Sequence, residues 1–168
     1  FKTVRWDEVT LQKYGITFES YDLSELFSRM RAMKDGRSDL KDKMEALKQY
    51  SDFTKCPAEH FSWLAKMSVA IDDMVSQYHF DALSLRCWNE MHNEFQIAPC
   101  VLLSELNNRG IATSCEMDVT NVVTMRALQA ASECPAGCVD WNNNYGDDLN
   151  KVILFHCGPI AQDLMEAR

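Results

Sequence analysis

The sequence has no long apolar run, and no stretch approaches the ~20 residues that cross a bilayer as a helix. It also has no excess of positive charge, because 17 Lys and Arg residues face 25 Asp and Glu residues and the formal net charge is −8. Phosphate contacts need clustered Lys and Arg, so this balance argues against a nucleic-acid-binding surface. We therefore expect neither a membrane nor a nucleic acid as a partner.

Signatures of two common enzyme classes are absent as well. The sequence contains no Walker-type phosphate loop and no G-x-G-x-x-G fingerprint, which weakens nucleotide-binding interpretations. It contains no G-x-S-x-G nucleophile elbow, which weakens hydrolase interpretations.

The seven cysteines are an odd number and fall mostly within predicted strands and helices. This distribution is typical of reduced thiols, and we expect a cytoplasmic protein. A zinc site is an alternative, although the cysteine spacings lack the paired C-x2-C pattern of structural zinc sites. Its ligands would come from Cys87, Cys115, Cys138, Cys157 and His156.

Strands and helices alternate from residue 81 onward, which indicates an α/β fold, a three-layer domain with a mainly parallel sheet and βαβ crossovers. Extra helices occupy the first half, including a helical segment at 38–79. The length corresponds to a single α/β domain, 1–168. The sequence begins with Phe1 rather than Met, so we expect a piece of a larger protein. The apolar patterns predict strands at 1–6, 16–21, 82–88, 111–115, 137–141 and 151–157, the last buried on both faces.

The stretch 114–140 carries the strongest functional pattern. It predicts a strand, a helix capped by Asp118 and a second strand. Glu116 lies just past the first strand and Asp140 at the tip of the second. A βαβ crossover makes the strands parallel and brings both acids to the carboxyl edge of the sheet, where open α/β sheets bind ligands. Two carboxylates there could bind a hard divalent cation or act as acid and base, and the alternative is a helix cap plus a solvated loop acid.

Further polar and aromatic side chains fall at the carboxyl ends of the late strands. These are Arg86, Trp88, Trp141 and His156. Each tryptophan could stack on a sugar or cover the sheet edge. The histidine could act as a ligand or as an acid/base, or it could be a hydrogen-bonded structural residue. So much polar chemistry at one edge favours a functional site.

The motifs of this region resemble the L-fucose isomerase family, within the wider fucose/arabinose isomerase fold. The resemblance rests on Cys-Glu-Met-Asp-Val at 115–119, Asn-Val-Val-Thr-Met at 121–125, Asp140 and His-Cys-Gly at 156–158. It covers residues 82–158 and matches the middle region of the family.

The resemblance implies that Glu116 and Asp140 bind a divalent metal, Mn²⁺ or alternatively Mg²⁺, and move the proton of an aldose–ketose interconversion through an enediolate. It also implies sugar contacts from Arg86 and Trp88. The third metal ligand of the family is a histidine in a C-terminal domain, and an N-terminal domain contributes substrate contacts. We expect both domains to lie outside this chain, which would be the middle domain of a homo-oligomeric isomerase and inactive alone. The alternative is a non-catalytic α/β sugar-binding or interaction domain.

Overall fold

The computed structural model describes residue 2 and residues 4–165. It contains helices, one parallel strand pair and one antiparallel strand pair, so the predicted α/β class is confirmed. The described residues divide into two compact units. The helical unit comprises residues 2, 4–80 and 88–98, and the α/β unit comprises residues 81–87 and 99–165. No helix among these residues has the length and apolar character required to cross a membrane.

The helices of the helical unit are α1 (Glu8–Gln12), α2 (Leu23–Ala32), α3 (Ser38–Tyr50), α4 (Ala58–Tyr78) and α5 (Glu90–Phe95). α2 and α3 both pack against α4. Met30, Leu47 and Met67 are fully buried, so the apolar stripes of the three helices form the core of this unit. Asp22 accepts a hydrogen bond from the Ser24 N–H at 2.7 Å and caps the start of α2. α3 and α4 lie within the segment 38–79 that the sequence predicts as helical.

The elements of the α/β unit are β1 (Ala82–Leu85), α6 (Cys100–Asn108), β2 (Ala112–Cys115), α7 (Val119–Ser132), β3 (Asp140–Tyr145), β4 (Asp148–Phe155) and a short 3-10 helix (Gln162–Leu164). β1 and β2 are parallel, with Ala82 opposite Ala112 and Leu85 opposite Cys115. β2 is buried along its whole length, because α6 and α7 both pack against it. Glu116 follows directly after this buried strand, which fixes the position of its backbone.

Asn107, near the end of α6, ties three segments of the α/β unit together. Its side chain is fully buried, and its Nδ2 donates to the Pro159 carbonyl at 3.1 Å as well as to β2. The Thr113 hydroxyl of β2 in turn donates to the Leu103 carbonyl at 2.7 Å. The bond to Pro159 holds the segment that follows β4 against α6, and the other bonds join α6 to β2.

The strand predicted at 137–141 is wrong in extent and in pairing. β3 begins at Asp140 and pairs antiparallel with β4 in a separate sheet, so Asp140 opens a strand rather than ending one. Parallel pairing is confined to β1 and β2 within the described residues. The reason is the two-residue turn of Gly146 and Asp147, where Gly146 has φ +56°, because such Gly-Asp turns join adjacent antiparallel strands.

The expectation that the last strand is buried on both faces is also wrong. Ile153, Leu154 and Phe155 are 41%, 54% and 57% exposed. In the described part of the chain β4 pairs with β3 alone, and a two-stranded hairpin leaves apolar side chains open on both faces.

The two strands predicted near the start of the chain do not form in its described part. Residues 1 and 3 lie outside the described residues, Val4 lies in a turn, and residues 16–21 are irregular. Phe18 is half-buried and its ring lies 6.5 Å from that of Trp6. The apolar alternation of 16–21 therefore reflects side-chain packing of an irregular segment, not strand pairing.

Candidate functional site

Glu116 lies in a tight turn at the carboxyl end of β2, where the sequence predicts it. Glu116 and Met117 have φ values of 60° and 61°, in the left-handed region that non-glycine residues rarely adopt. The turn is closed by a hydrogen bond of 3.0 Å from the Asp118 N–H to the Cys115 carbonyl. Two consecutive non-glycine residues in this conformation cost folding free energy, and such strain clusters at functional sites.

Asp118 caps α7, as predicted. Its Oδ1 accepts a hydrogen bond of 3.0 Å from the Asn121 N–H, and its Oδ2 accepts one from the Asn121 side chain. The cap sets the direction in which α7 leaves the turn, and the carboxylate of Asp118 is thereby used for structure.

His156 follows β4 and connects two segments of the site. Its Nδ1 lies 3.2 Å from the Cys138 carbonyl oxygen, and its Nε2 lies 3.3 Å from the Cys115 Sγ. A carbonyl oxygen only accepts, so Nδ1 donates to it, and Nε2 faces the Cys115 sulfur. Both ring nitrogens therefore face protein atoms.

The Cys115 sulfur lies between His156 Nε2 and the sulfur of Cys87. Donation to Cys87 and burial raise the pKa of Cys115. The hydrogen bond from Cys115 lowers the pKa of Cys87 to about 7. The residue directly before Glu116, Cys115, is thus hydrogen-bonded to the thiol of Cys87.

Asp140 and Glu116 both act electrostatically on one thiol, that of Cys138. Burial raises the pKa of Cys138 to about 11, with further contributions from the negative charges of Asp118, Asp140 and Glu116. Because the His156 ring contacts both Cys115 and Cys138, Glu116 at the end of β2 and Asp140 at the start of β3 belong to one acidic neighbourhood, even though β2 and β3 lie in separate sheets. Such a neighbourhood attracts cations.

The remaining predicted site residues are distributed over both units. Arg86 is exposed and follows β1, and Trp141 is 80% exposed on β3. Trp88 belongs to the helical unit, where its ring meets the His92 ring edge-on at 5.9 Å between centroids. The α/β unit accordingly contains the other five predicted residues, but Trp88 lies outside it.

The residues of the acidic neighbourhood fit a hard divalent cation in type but not in number. Carboxylate oxygens suit Mn²⁺ and Mg²⁺. Across residues 2 and 4–165, no group of three or more His, Cys, Asp or Glu side chains is arranged to hold a metal ion. Glu116 and Asp140 supply two carboxylates of this kind, fewer than the three groups that such an arrangement requires. All seven cysteines are free thiols, and the same finding gives no support to the zinc alternative.

Cys115 and Cys138 are partners of His156 that the sequence pattern does not predict. One signal was available, because each cysteine lies within two residues of a predicted acid, Glu116 or Asp140. Cysteine spacing carries no signature of a contact with histidine, and a hydrogen bond to a backbone carbonyl leaves no trace in residue identity.

No protein-family model matches the chain. The chain is similar to curated proteins named sulfoquinovose isomerase. The protein from Priestia megaterium is 27% identical over 154 residues, which are 89% of this chain and 33% of that protein. The protein from a Clostridium species is 27% identical over 168 residues, which are 96% of this chain and 36% of that protein. The protein from Alkalicoccus urumqiensis is 25% identical over 151 residues, 90% of this chain and 34% of that protein.

The chain spans about a third of the length of the curated relatives it matches. The name of these relatives supports the isomerase part of the resemblance seen in the motifs. It does not support L-fucose isomerase in particular, because the relatives are named for another sugar. The chain is thus similar to sugar isomerases, over a region that includes Glu116, Asp140 and His156.

Proposed function

We propose that this chain is the part of a metal-dependent aldose–ketose isomerase that supplies the acidic groups Glu116 and Asp140. The observation that carries the proposal is the contact of the His156 ring with both Cys115, directly before Glu116, and Cys138, two residues before Asp140, beside the strained turn at the end of β2. The similarity to proteins named sulfoquinovose isomerase gives the reaction class. It also favours sulfoquinovose, an aldose that carries a sulfonate, over L-fucose as the substrate.

In the proposed reaction one of the two carboxylates removes a proton from carbon 2 or carbon 1 of the sugar and returns it to the neighbouring carbon. The other carboxylate remains charged and helps to hold a divalent cation, Mn²⁺ or alternatively Mg²⁺. When bound, such a cation polarises a carbonyl and stabilises the negative charge that develops beside it. Glu116 is held by its backbone turn, so its carboxylate starts from a restricted set of positions.

Two exposed side chains of the α/β unit suit substrate contacts in this proposal. The Arg86 guanidinium offers paired N–H donors that match a planar or tetrahedral anion such as a sulfonate. The exposed Trp141 ring offers a face for the apolar side of a sugar. Trp88 is retained as a substrate contact only on the strength of the family resemblance.

The remaining parts of the proposal concern the protein beyond this chain. A third metal ligand, an N-terminal domain and a C-terminal domain would come from the rest of a longer polypeptide that assembles as a homo-oligomer in the cytoplasm. Because this chain would supply two of the metal ligands, Glu116 and Asp140, it would bind the metal weakly on its own and would not turn over sugar.

A second candidate is a non-catalytic α/β sugar-binding or interaction domain. One observation favours it, since the described residues contain no group of three metal-ligating side chains. The two candidates differ in whether Glu116 and Asp140 attract a cation.

Mn²⁺ titration followed by nitrogen-15 NMR tests the proposal. Because Mn²⁺ is paramagnetic, it broadens the amide signals nearest to it. We expect substoichiometric Mn²⁺ to broaden the signals of 115–118 and 138–141 first, and diamagnetic Mg²⁺ to shift the same signals without broadening. Broadening centred on the exposed Asp147 and its neighbour Asp148, or no selective broadening, would contradict the proposal.

A further inference from the structure

We propose that His156 is a positioning residue that holds the Glu116-bearing and Asp140-bearing segments together, and that Gly158 is required to make room for its ring. This inference rests on the proposed function for its consequence in metal binding. Its structural part stands on contacts within the α/β unit and can be tested separately.

The two ring nitrogens of His156 reach one segment each. Nε2 lies 3.3 Å from Sγ of Cys115, the residue directly before Glu116. Nδ1 lies 3.2 Å from the carbonyl oxygen of Cys138, two residues before Asp140. The ring therefore bridges the end of β2 and the start of β3, which no backbone pairing joins, because β2 pairs with β1 and β3 pairs with β4.

This use of both nitrogens changes the role that the sequence indicates for His156. A histidine that contacts substrate or metal needs a ring nitrogen directed at that ligand. Here each nitrogen faces a protein atom, and the ring is half-buried. His156 thus acts on the acids through the backbone that carries them.

Gly158 lies directly against the ring. A Cβ built on Gly158 would stand 2.5 Å from Nε2, 2.7 Å from Cδ2 and 2.9 Å from Cε1 of His156. These separations are far inside van der Waals contact, so any side chain at position 158 must displace the ring. Gly158 consequently controls the position of His156 without supplying a functional group.

The segment after Gly158 is fastened to the body of the α/β unit, so the ring is held from a fixed base. The Pro159 carbonyl accepts from Asn107 Nδ2 at 3.1 Å, and the Ile160 carbonyl accepts from the Ser104 hydroxyl. Both donors lie on α6. A displaced ring cannot readily be accommodated by movement of this segment, because that movement would break buried hydrogen bonds.

The test compares G158A, H156A and the double variant H156A/G158A, with His60→Gln in the helical unit as the matched control. G158A keeps the imidazole and moves it, whereas H156A removes it. We expect each single variant to weaken Mn²⁺ binding about tenfold, the scale seen when a group that orients metal ligands is lost. The double variant should match H156A, because Gly158 acts only through the ring, and H60Q should match the wild-type protein.

Hydrogen exchange measured by mass spectrometry supplies the readout that does not depend on metal. G158A and H156A should exchange faster than the wild-type protein in peptides covering 114–118 and 137–141, with unchanged exchange in α3 and α4. Unchanged exchange, uniformly faster exchange, or an additional loss in the double variant would overturn the inference. If the wild-type chain binds no Mn²⁺, the proposed function fails, and the exchange pattern still decides whether His156 positions the two segments.

Discussion

The side-chain amide of Asn107 pairs with the backbone of Thr113 as a neighbouring strand would. Its Oδ1 accepts from the Thr113 N–H at 2.8 Å, and its Nδ2 donates to the Thr113 carbonyl at 2.9 Å. β2 has β1 as its strand partner in the described part of the chain, and this amide satisfies the middle of β2 where a further strand would otherwise be needed.

We expect Asn107→Ala to lower the free energy of unfolding by about 3 kcal/mol, because the substitution leaves buried donors and acceptors of Thr113 and Pro159 without partners. Urea unfolding followed by circular dichroism measures this loss. The matched control is Asn108→Ala on the same helix, where the amide oxygen accepts from the Asp163 N–H in an exposed hydrogen bond. An equal loss of unfolding free energy in the two variants would show that the hydrogen bonds of Asn107 stabilise the fold no more than that of Asn108.

The backbone of Glu116 gives a second prediction. At φ 60° a glycine is less strained than any residue with a Cβ. We expect Glu116→Gly to be more stable than Glu116→Ala by about 1 kcal/mol, the lower end of the cost of a left-handed conformation. Both variants lack the carboxylate, so their difference in thermal unfolding reports the backbone alone. A Glu116→Ala variant at least as stable as Glu116→Gly would contradict strain at this turn.

Glu25 in the helical unit predicts a pH dependence of stability. Its Oε1 accepts from Arg29 Nη2 at 2.7 Å and from the Tyr78 hydroxyl at 2.9 Å, and these bonds hold the pKa of Glu25 below its ordinary value of 4.5. A lowered folded-state pKa means that the stabilisation is present above pH 4.5 and is lost as the pH falls through the folded-state pKa. The stability difference between the wild-type protein and Glu25→Gln should therefore shrink on acidification. A difference that stays constant between pH 7 and pH 3 would rule out this contribution.

The exposure of Trp141 separates its two proposed roles. A side chain that is 80% exposed contributes little to folding, so we expect Trp141→Ala to change the free energy of unfolding by less than about 1 kcal/mol. The same variant should lose the saturation-transfer NMR signal of added sulfoquinovose if the ring stacks on the sugar. A large loss of stability with retained sugar contact would identify Trp141 as a cover of the hairpin instead.

The sequence predicted well what depends on local pattern. Glu116 after a buried strand, the Asp118 cap and the long helix α4 all follow from apolar periodicity and cap chemistry, and all three are present. The extent of β3 is not predicted because its Asn-Asn-Asn run is typical of a loop, although the Gly146–Asp147 turn indicates a hairpin.

The contacts that join distant segments could not be predicted in this way. His156 reaches Cys115 and Cys138 across 41 and 18 residues, and Asn107 reaches Pro159 across 52. Such contacts depend on the packing of whole elements, and they leave no periodicity in the sequence. The neighbourhood of Glu116 and Asp140 was expected from a parallel βαβ unit, whereas the structure reaches it through a hairpin whose first residue is Asp140.

Mn²⁺ titration by calorimetry tests the central claim most directly, with the wild-type chain beside Glu116→Gln, Asp140→Asn and the control Asp147→Asn. Asp147 is an exposed acid in the turn between β3 and β4, so its variant makes the same change of charge outside the site. The account predicts that the wild-type chain and Asp147→Asn bind Mn²⁺ alike and that the other two variants lose this binding. Equal binding by all four proteins, or binding by none, would contradict a metal half-site at Glu116 and Asp140.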